Sequence, residues 1–346
     1  MTAGRGDELH LAASGPTRHI PVLRDEVMAA LAPRAGGLYL DATFGAGGYA
    51  RALLALPGLR LLALDRDPIA IAEGAELVRQ AEGRLYLTKE RFGRLDQAAG
   101  AQGLAEFDGV ILDIGVSSMQ LDDAGRGFSF RLEGPLDMRM EGKGPSAADL
   151  VNEAPESTLA NIFYHYGEER AARRIARAIV LDRAKAPFRT TTALAALIAR
   201  VAPGRPQDIH PATRVFQALR IAVNDELGEL VRALVAAETV LKEGGCLAVV
   251  SFHSLEDRII KQFFYERSGR GQVSSKLLPH ESERPEPTFA LKGKQPVKPS
   301  VQEMAVNPRA RSAKLRSGTR LKGKARGPDP QLMALAQIPE ARQKGR

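Results

Sequence analysis

Four short apolar runs, each closed by a turn or an acid, set the rhythm of the first third of the chain. Leu38–Asp41, Leu59–Asp65, Arg84–Thr88 and Phe107–Asp113 read as buried strands, with starts separated by 21, 25 and 23 residues. Between them, Tyr49–Leu56 and a Pro68-opened segment through Val78 carry helix-compatible patterns. Alternation of strand and helix at this spacing predicts an α/β fold with a parallel sheet. Upstream, Leu23, Val27, Ala30 and Leu31 fall on one helical face, and Pro33 and Gly36-Gly37 end that helix.

The rhythm then breaks. The next continuous apolar run, Cys246–Val250, starts 139 residues after Phe107, far more chain than one crossover helix needs. An insertion is therefore predicted. Its first part, Gly115–Gly144, is rich in Gly, Asp and Arg and lacks a sustained period, as in a long functional loop. Helices follow at Pro155–Tyr166, Glu168–Lys185, Thr190–Val201 and Ala212–Leu241, the last with a bend near Asn224. On the second of these, Arg170, Arg173, Arg174 and Arg177 form a basic stripe opposite Ala172, Ile175 and Ile179. That stripe reads equally as a polyanion-binding face or as a solvated one balanced by Glu168 and Glu169.

Beyond the fifth strand, Ser254 and Asp257 suggest a capping box opening a helix to Arg267. Thr288–Leu291 and Ala313–Leu321 are expected as further strands, and residues from Gly323 onward as disorder. The domain plan is a flexible arm (1–17), a discontinuous sheet domain (18–130 and 220–322), an inserted helical domain (131–219) and a basic disordered tail (323–346).

Composition narrows the function classes. A chain of 346 residues with 44% hydrophobic content can bury a substantial core. The formal charge of +8 is uneven: Arg267–Arg346 holds 18 basic and 6 acidic residues, a net of +12, which leaves −4 for residues 1–266. Such a basic segment attracts polyanions, and nucleic acid is the leading partner. No apolar run approaches a membrane span, and the first 17 residues resemble neither a signal nor a transit peptide, so a cytoplasmic protein is expected. The single cysteine, Cys246, excludes an intrachain disulfide, and the six histidines never fall at metal-ligand spacing, so no metal site is expected.

The chemistry concentrates at the carboxyl ends of the predicted strands. Asp41 is followed by Gly45-Ala46-Gly47-Gly48-Tyr49, a glycine-rich turn opening onto a helix. Asp65 lies 20 residues beyond Gly45, where a second-strand carboxylate can accept hydrogen bonds from a ribose. Phe92 and Asp113 complete one crevice. The glycines also satisfy G-x-G-x-x-A, which keeps an NAD-dependent oxidoreductase open. Against it, Asp41 would repel a pyrophosphate, yet suits the cationic amino-acid head group of S-adenosylmethionine. Phe252 and His253 end the fifth strand, where His253 reads either as a general base or as a structural histidine.

Several blocks, taken in order, carry a resemblance: Asp41-Ala-Thr-Phe-Gly-Ala-Gly-Gly, Asp65-Arg-Asp-Pro, Leu112-Asp-Ile-Gly-Val-Ser-Ser-Met-Gln-Leu-Asp-Asp and Arg126-Gly-Phe-Ser-Phe. They continue with Gly134-Pro-Leu-Asp-Met-Arg-Met, Tyr166-Gly-Glu-Glu-Arg, Ser251-Phe-His-Ser-Leu-Glu-Asp-Arg and Asn307-Pro-Arg-Ala-Arg-Ser. Together, over roughly 18–321, they resemble the RsmH (MraW) family. The resemblance implies a Rossmann-like class I S-adenosylmethionine-dependent methyltransferase sheet with an inserted helical domain. It further implies methylation of a cytidine N4 in the decoding centre of 16S ribosomal RNA, with the small ribosomal subunit as partner. Carried over by motif, the cofactor contacts are Gly47, Gly48, Tyr49, Asp65, Phe92, Asp113 and Gln120, to which the residue reading adds Asp41 and Gly45. Asp113, with Ser117 and His253 as helpers, is the expected group acting on the acceptor amine. Phe128, Phe130 or Phe252 could stack on the base, and Asp137 and Arg139 read either as target contacts or as a loop salt bridge. A non-catalytic ribosome-assembly factor is the remaining alternative, and the oligomeric state stays open, a homodimer included.

Overall fold

The computed structural model describes residues 21–203, 210–270 and 285–339. The arm at 1–17 and the last residues of the tail lie outside these.

The four expected strands form, and each is followed by a helix. After α1 (Arg24–Leu31) come β1 (Leu38–Asp41), α2 (Gly48–Leu54), β2 (Arg60–Asp65), α3 (Pro68–Gln80), β3 (Leu85–Lys89), α4 (Leu95–Ala101), β4 (Phe107–Asp113) and the short α5 (Ser118–Asp122). The insertion contributes α6 (Ala147–Glu153), α7 (Glu156–His165), α8 (Ala172–Arg183), α9 (Thr191–Val201) and α10 (Ala212–Asn224). The bend expected near Asn224 is a break: Asp225 is left-handed (φ 50°), and α11 (Glu226–Val240) starts beyond it. The chain then enters β5 (Leu241–Ser251), α12 (Ser254–Arg267), β6 (Phe289–Ala290), α13 (Val301–Val306), β7 (Lys314–Arg320) and α14 (Pro330–Ala336).

The sheet runs β3-β2-β1-β4-β5-β7-β6, parallel through β5, with β7 antiparallel to β5. Helices α1, α2 and α3 pack with Tyr39, Leu61, Ile111 and Ala248 on one face, and α4, α11 and α12 with Leu40, Leu62, Val110 and Leu247 on the other. Alternate side chains of each strand thus enter opposite cores. The chain order reverses at β1, between β2 and β4, which opens a crevice at the strands' carboxyl ends. A further apolar cluster, from Phe128 to Leu219, gives the insertion a core of its own.

Two expectations need correction. Residues 330–336 are not disordered: Asp329 caps α14 through the Gln331 amide, and Leu332 and Ala336 are buried on α11 and α12. The neighbouring Lys322, Lys324 and Arg326 hid this short amphipathic turn. The capping box of α12 is also displaced by one residue, since His253 is the N-cap and Glu256 its partner. Asp257 instead binds Lys314 Nζ (3.0 Å) and Arg316 Nε (2.7 Å) on β7.

Candidate active site

A cleft at the carboxyl edge of the sheet gathers Thr43, Gly45, Gly48 and Tyr49 after β1, Asp65 after β2, Phe92 after β3, and Asp113, Ser117 and Gln120 after β4. Phe252 closes it from β5, and Pro21, Val22, Asn307 and Arg309 wall the far end.

Asp65 is fixed before any ligand arrives. Its Oδ2 accepts from the Gly45 amide and its Oδ1 from the Asp67 amide, both at 2.8 Å. Burial raises its pKa, and these two bonds work against the rise. Gly47 stands behind the lining. It is left-handed (φ 74°), and a Cβ there would meet the Phe44 ring at 2.9 Å, so the turn requires glycine.

Gln120 lines the cleft but is already committed. Its Nε2 donates to Asp67 Oδ2 (2.8 Å), and its Oε1 accepts from the Ser117 amide (3.0 Å). Ser117 Oγ accepts from the Gln120 amide in return. Arg126 completes this support with a 2.8 Å bond to Asp67. Neither Asp67 nor Arg126 was among the candidates, although both lie in the motif blocks. Arg139 and Asp137 form the loop salt bridge (2.6 Å) that holds the Asp137 carboxyl below its ordinary range.

Asp41 and Asp113 form the acidic floor. Asp41 does not reach the cleft; it lies fully buried beneath it, Oδ1 accepting from the Thr43 amide (3.1 Å) and Oδ2 without a partner among the described residues. Burial, helped by Asp65, pushes it up to about 7. Asp113 does line the cleft, and its amide donates to Thr43 Oγ1 (2.7 Å). Its Oδ1 is buried and unpartnered among the described residues, and burial first, then Asp41 and Glu256, raise its pKa well above the carboxylate range. An uncompensated acid pair suits a cationic ligand, and suits a pyrophosphate badly.

Asp41 therefore offers a stability test. A carboxyl raised in the folded state favours folding below its unfolded pKa and loses that contribution as pH rises through the folded value. Asp41→Asn should match the parent near pH 4 and gain on it up to about pH 7, by at most about 4 kcal/mol. Urea unfolding across that range checks it. A difference independent of pH rejects the buried-acid account.

His253 is absent from the cleft lining. It caps α12, with Nε2 3.0 Å from Glu256 Oε1. Burial would raise Glu256, but His253 and Arg220 hold it low. Glu226 adds ligand-type atoms within 4.8 Å of this pair, yet Arg220 forks Glu226 at 2.8 Å through both nitrogens. Arg220 thus answers the carboxylates of this group, which reads as an ion-pair network.

A parallel sheet reversed at β1, extended by an antiparallel β7 and carrying a carboxylate at the end of β2 defines a class I methyltransferase fold. The chain belongs to the MraW methylase family, whose model matches residues 16–321. It is 66% identical to the ribosomal RNA small subunit methyltransferase H of Methylocella silvestris over the full length of both chains. The Beijerinckia indica protein of that name is 66% identical over 98% of this chain and 96% of its own. That of Bradyrhizobium diazoefficiens is 60% identical over 90% and 94%.

Proposed function

We propose that this protein transfers a methyl group from S-adenosylmethionine to N4 of a cytidine in the decoding centre of 16S ribosomal RNA. The donor and the small-subunit RNA follow from family membership. The observation that carries the finer reading is the pairing of Asp65 and Asp113 in one cleft: a carboxylate fixed at the end of β2 and, at the end of β4 on the other side of β1, an acid whose Oδ1 has no partner among the described residues.

When bound, S-adenosylmethionine supplies an electrophilic methyl on a sulfonium. The protein's own residues do the rest. Asp65 holds the ribose hydroxyls, Phe92 packs on the adenine, and the Gly45–Gly48 turn admits the methionine portion. Asp113, its ionised form favoured by a bound cation, would accept an N–H of the acceptor amine and take that proton as N4 gains the methyl, the donor sulfur keeping the electron pair of the broken S–C bond. Ser117 keeps the Asp113 loop in shape through its cap, and His253 acts at a distance by anchoring α12 behind Phe252. Burial of the acid pair excludes water and strengthens these interactions.

The insertion supports an RNA substrate. Arg170, Arg173, Arg174 and Arg177 are all exposed, and among the described residues none has an ion-pair partner. Glu168 is drawn instead to Ser254 and Arg258. Tyr164 stands exposed beside that stripe, edge-on to His165, and aromatic rings among cations suit an RNA strand.

Nucleoside mass spectrometry of small-subunit RNA from cells with and without the gene tests the proposal. N4-methylcytidine should be lost with the gene. Its persistence at the parental level would sink the assignment.

A further inference from the structure

A second cavity opens beside the cleft and shares Phe252 as a wall. Its lining includes His253, Ser254, Lys298, Arg311 and Lys314, and no acid. Three cations thus arrive from separate stretches: the segment before α13, the turn that ends at Ser312, and the start of β7. Their compensation is thin. Asp257 answers Lys314 at 3.0 Å, but it also serves Arg316 at 2.7 Å. Lys298 and Arg311 are exposed, and among the described residues neither has an ion pair. Gathering like charges costs energy unless an anion meets them.

The shared wall indicates which anion fits. Phe252 is half-buried and borders both the acid-floored cleft and the cationic cavity. A single-stranded nucleotide has matching parts: a flat base able to stack on an aromatic ring, and a phosphate one sugar away. We propose that the second cavity is a phosphate subsite, holding a phosphodiester that flanks the acceptor cytidine while its base enters the cleft past Phe252. Lys298 and Arg311 make the contact, while Ser254 Oγ, in the same lining, is already committed as a donor to Glu168 Oε2 (2.9 Å). Such contacts fix register and orientation without reading sequence. The inference rests on the RNA methylation reading above and adds the place where the strand is gripped.

The test pairs a double variant, Lys298→Ala with Arg311→Ala, with a labelled single-stranded RNA of the decoding-centre sequence. Its affinity should fall about tenfold, and the slope of log affinity against log salt should become shallower by about 0.7, the value for one lost single-strand phosphate contact. S-adenosylhomocysteine binding, measured by calorimetry, should stay unchanged and so report an intact fold. Replacing either phosphate flanking the cytidine by a neutral methylphosphonate locates the contact. At one of the two positions the parent should weaken to the level of the variant, and combining the two changes should add nothing.

Unchanged RNA affinity in the variant overturns the subsite, as does additivity at both linkages or indifference of the parent to either replacement. The methylation reading fails separately, if N4-methylcytidine persists without the gene while RNA binding behaves as described.

Discussion

Asp113→Ala should lower methyl-transfer turnover by a factor on the order of 10² to 10⁴ while leaving RNA affinity within about threefold, the range associated with losing a positioned proton acceptor. Three observations combine in that expectation. Asp113 lines the cleft, its Oδ1 has no partner among the described residues, and its backbone is pinned to Thr43. A buried acid left unpaired is a cost to the fold, so the alanine variant should be at least as stable as the parent at neutral pH. Single-turnover rates at saturating donor, set beside RNA binding, make the comparison. Equal losses in rate and affinity would reduce Asp113 to a structural residue.

Asp65→Ala should weaken S-adenosylhomocysteine binding about 10- to 150-fold, corresponding to the roughly 1.5–3 kcal/mol of hydrogen bonds to a charged group. The two backbone amides that grip its oxygens fix the carboxylate's direction, so little ordering remains to be done when ribose hydroxyls arrive. Loss of those bonds also loosens the Gly45 turn. RNA affinity should be unaffected, because no part of the cationic cavity touches Asp65. Calorimetry showing less than a threefold change would place the ribose contact elsewhere.

The sheet and the cleft's outline were legible because buried strands write themselves as apolar runs, and Asp41, Asp65 and Asp113 mark where those runs stop. The 139-residue gap made the insertion equally plain. What escaped the pattern depends on distant partners. Arg126 reaches Asp67 across 59 positions, and Asp257 is drawn from the cap of α12 by cations on β7; a local spacing rule records neither. Asp41 is a different case. Its type was apparent, but whether a strand-end acid faces the crevice or the floor beneath depends on how the next turn folds over it.

The far wall of the cleft has a temporal consequence. Pro21 and Val22 come from one end of the chain and Asn307 and Arg309 from the other, stapled where the Leu23 amide donates to Glu303 Oε1 (2.7 Å). During synthesis, the lining residues from Thr43 to Gln120 emerge long before Asn307 and Arg309. Domains can fold as they emerge, but β5 keeps an open edge until β7 arrives to pair with it. The far wall of the cleft therefore closes only after the segment leading into β7 has been made, well after the insertion.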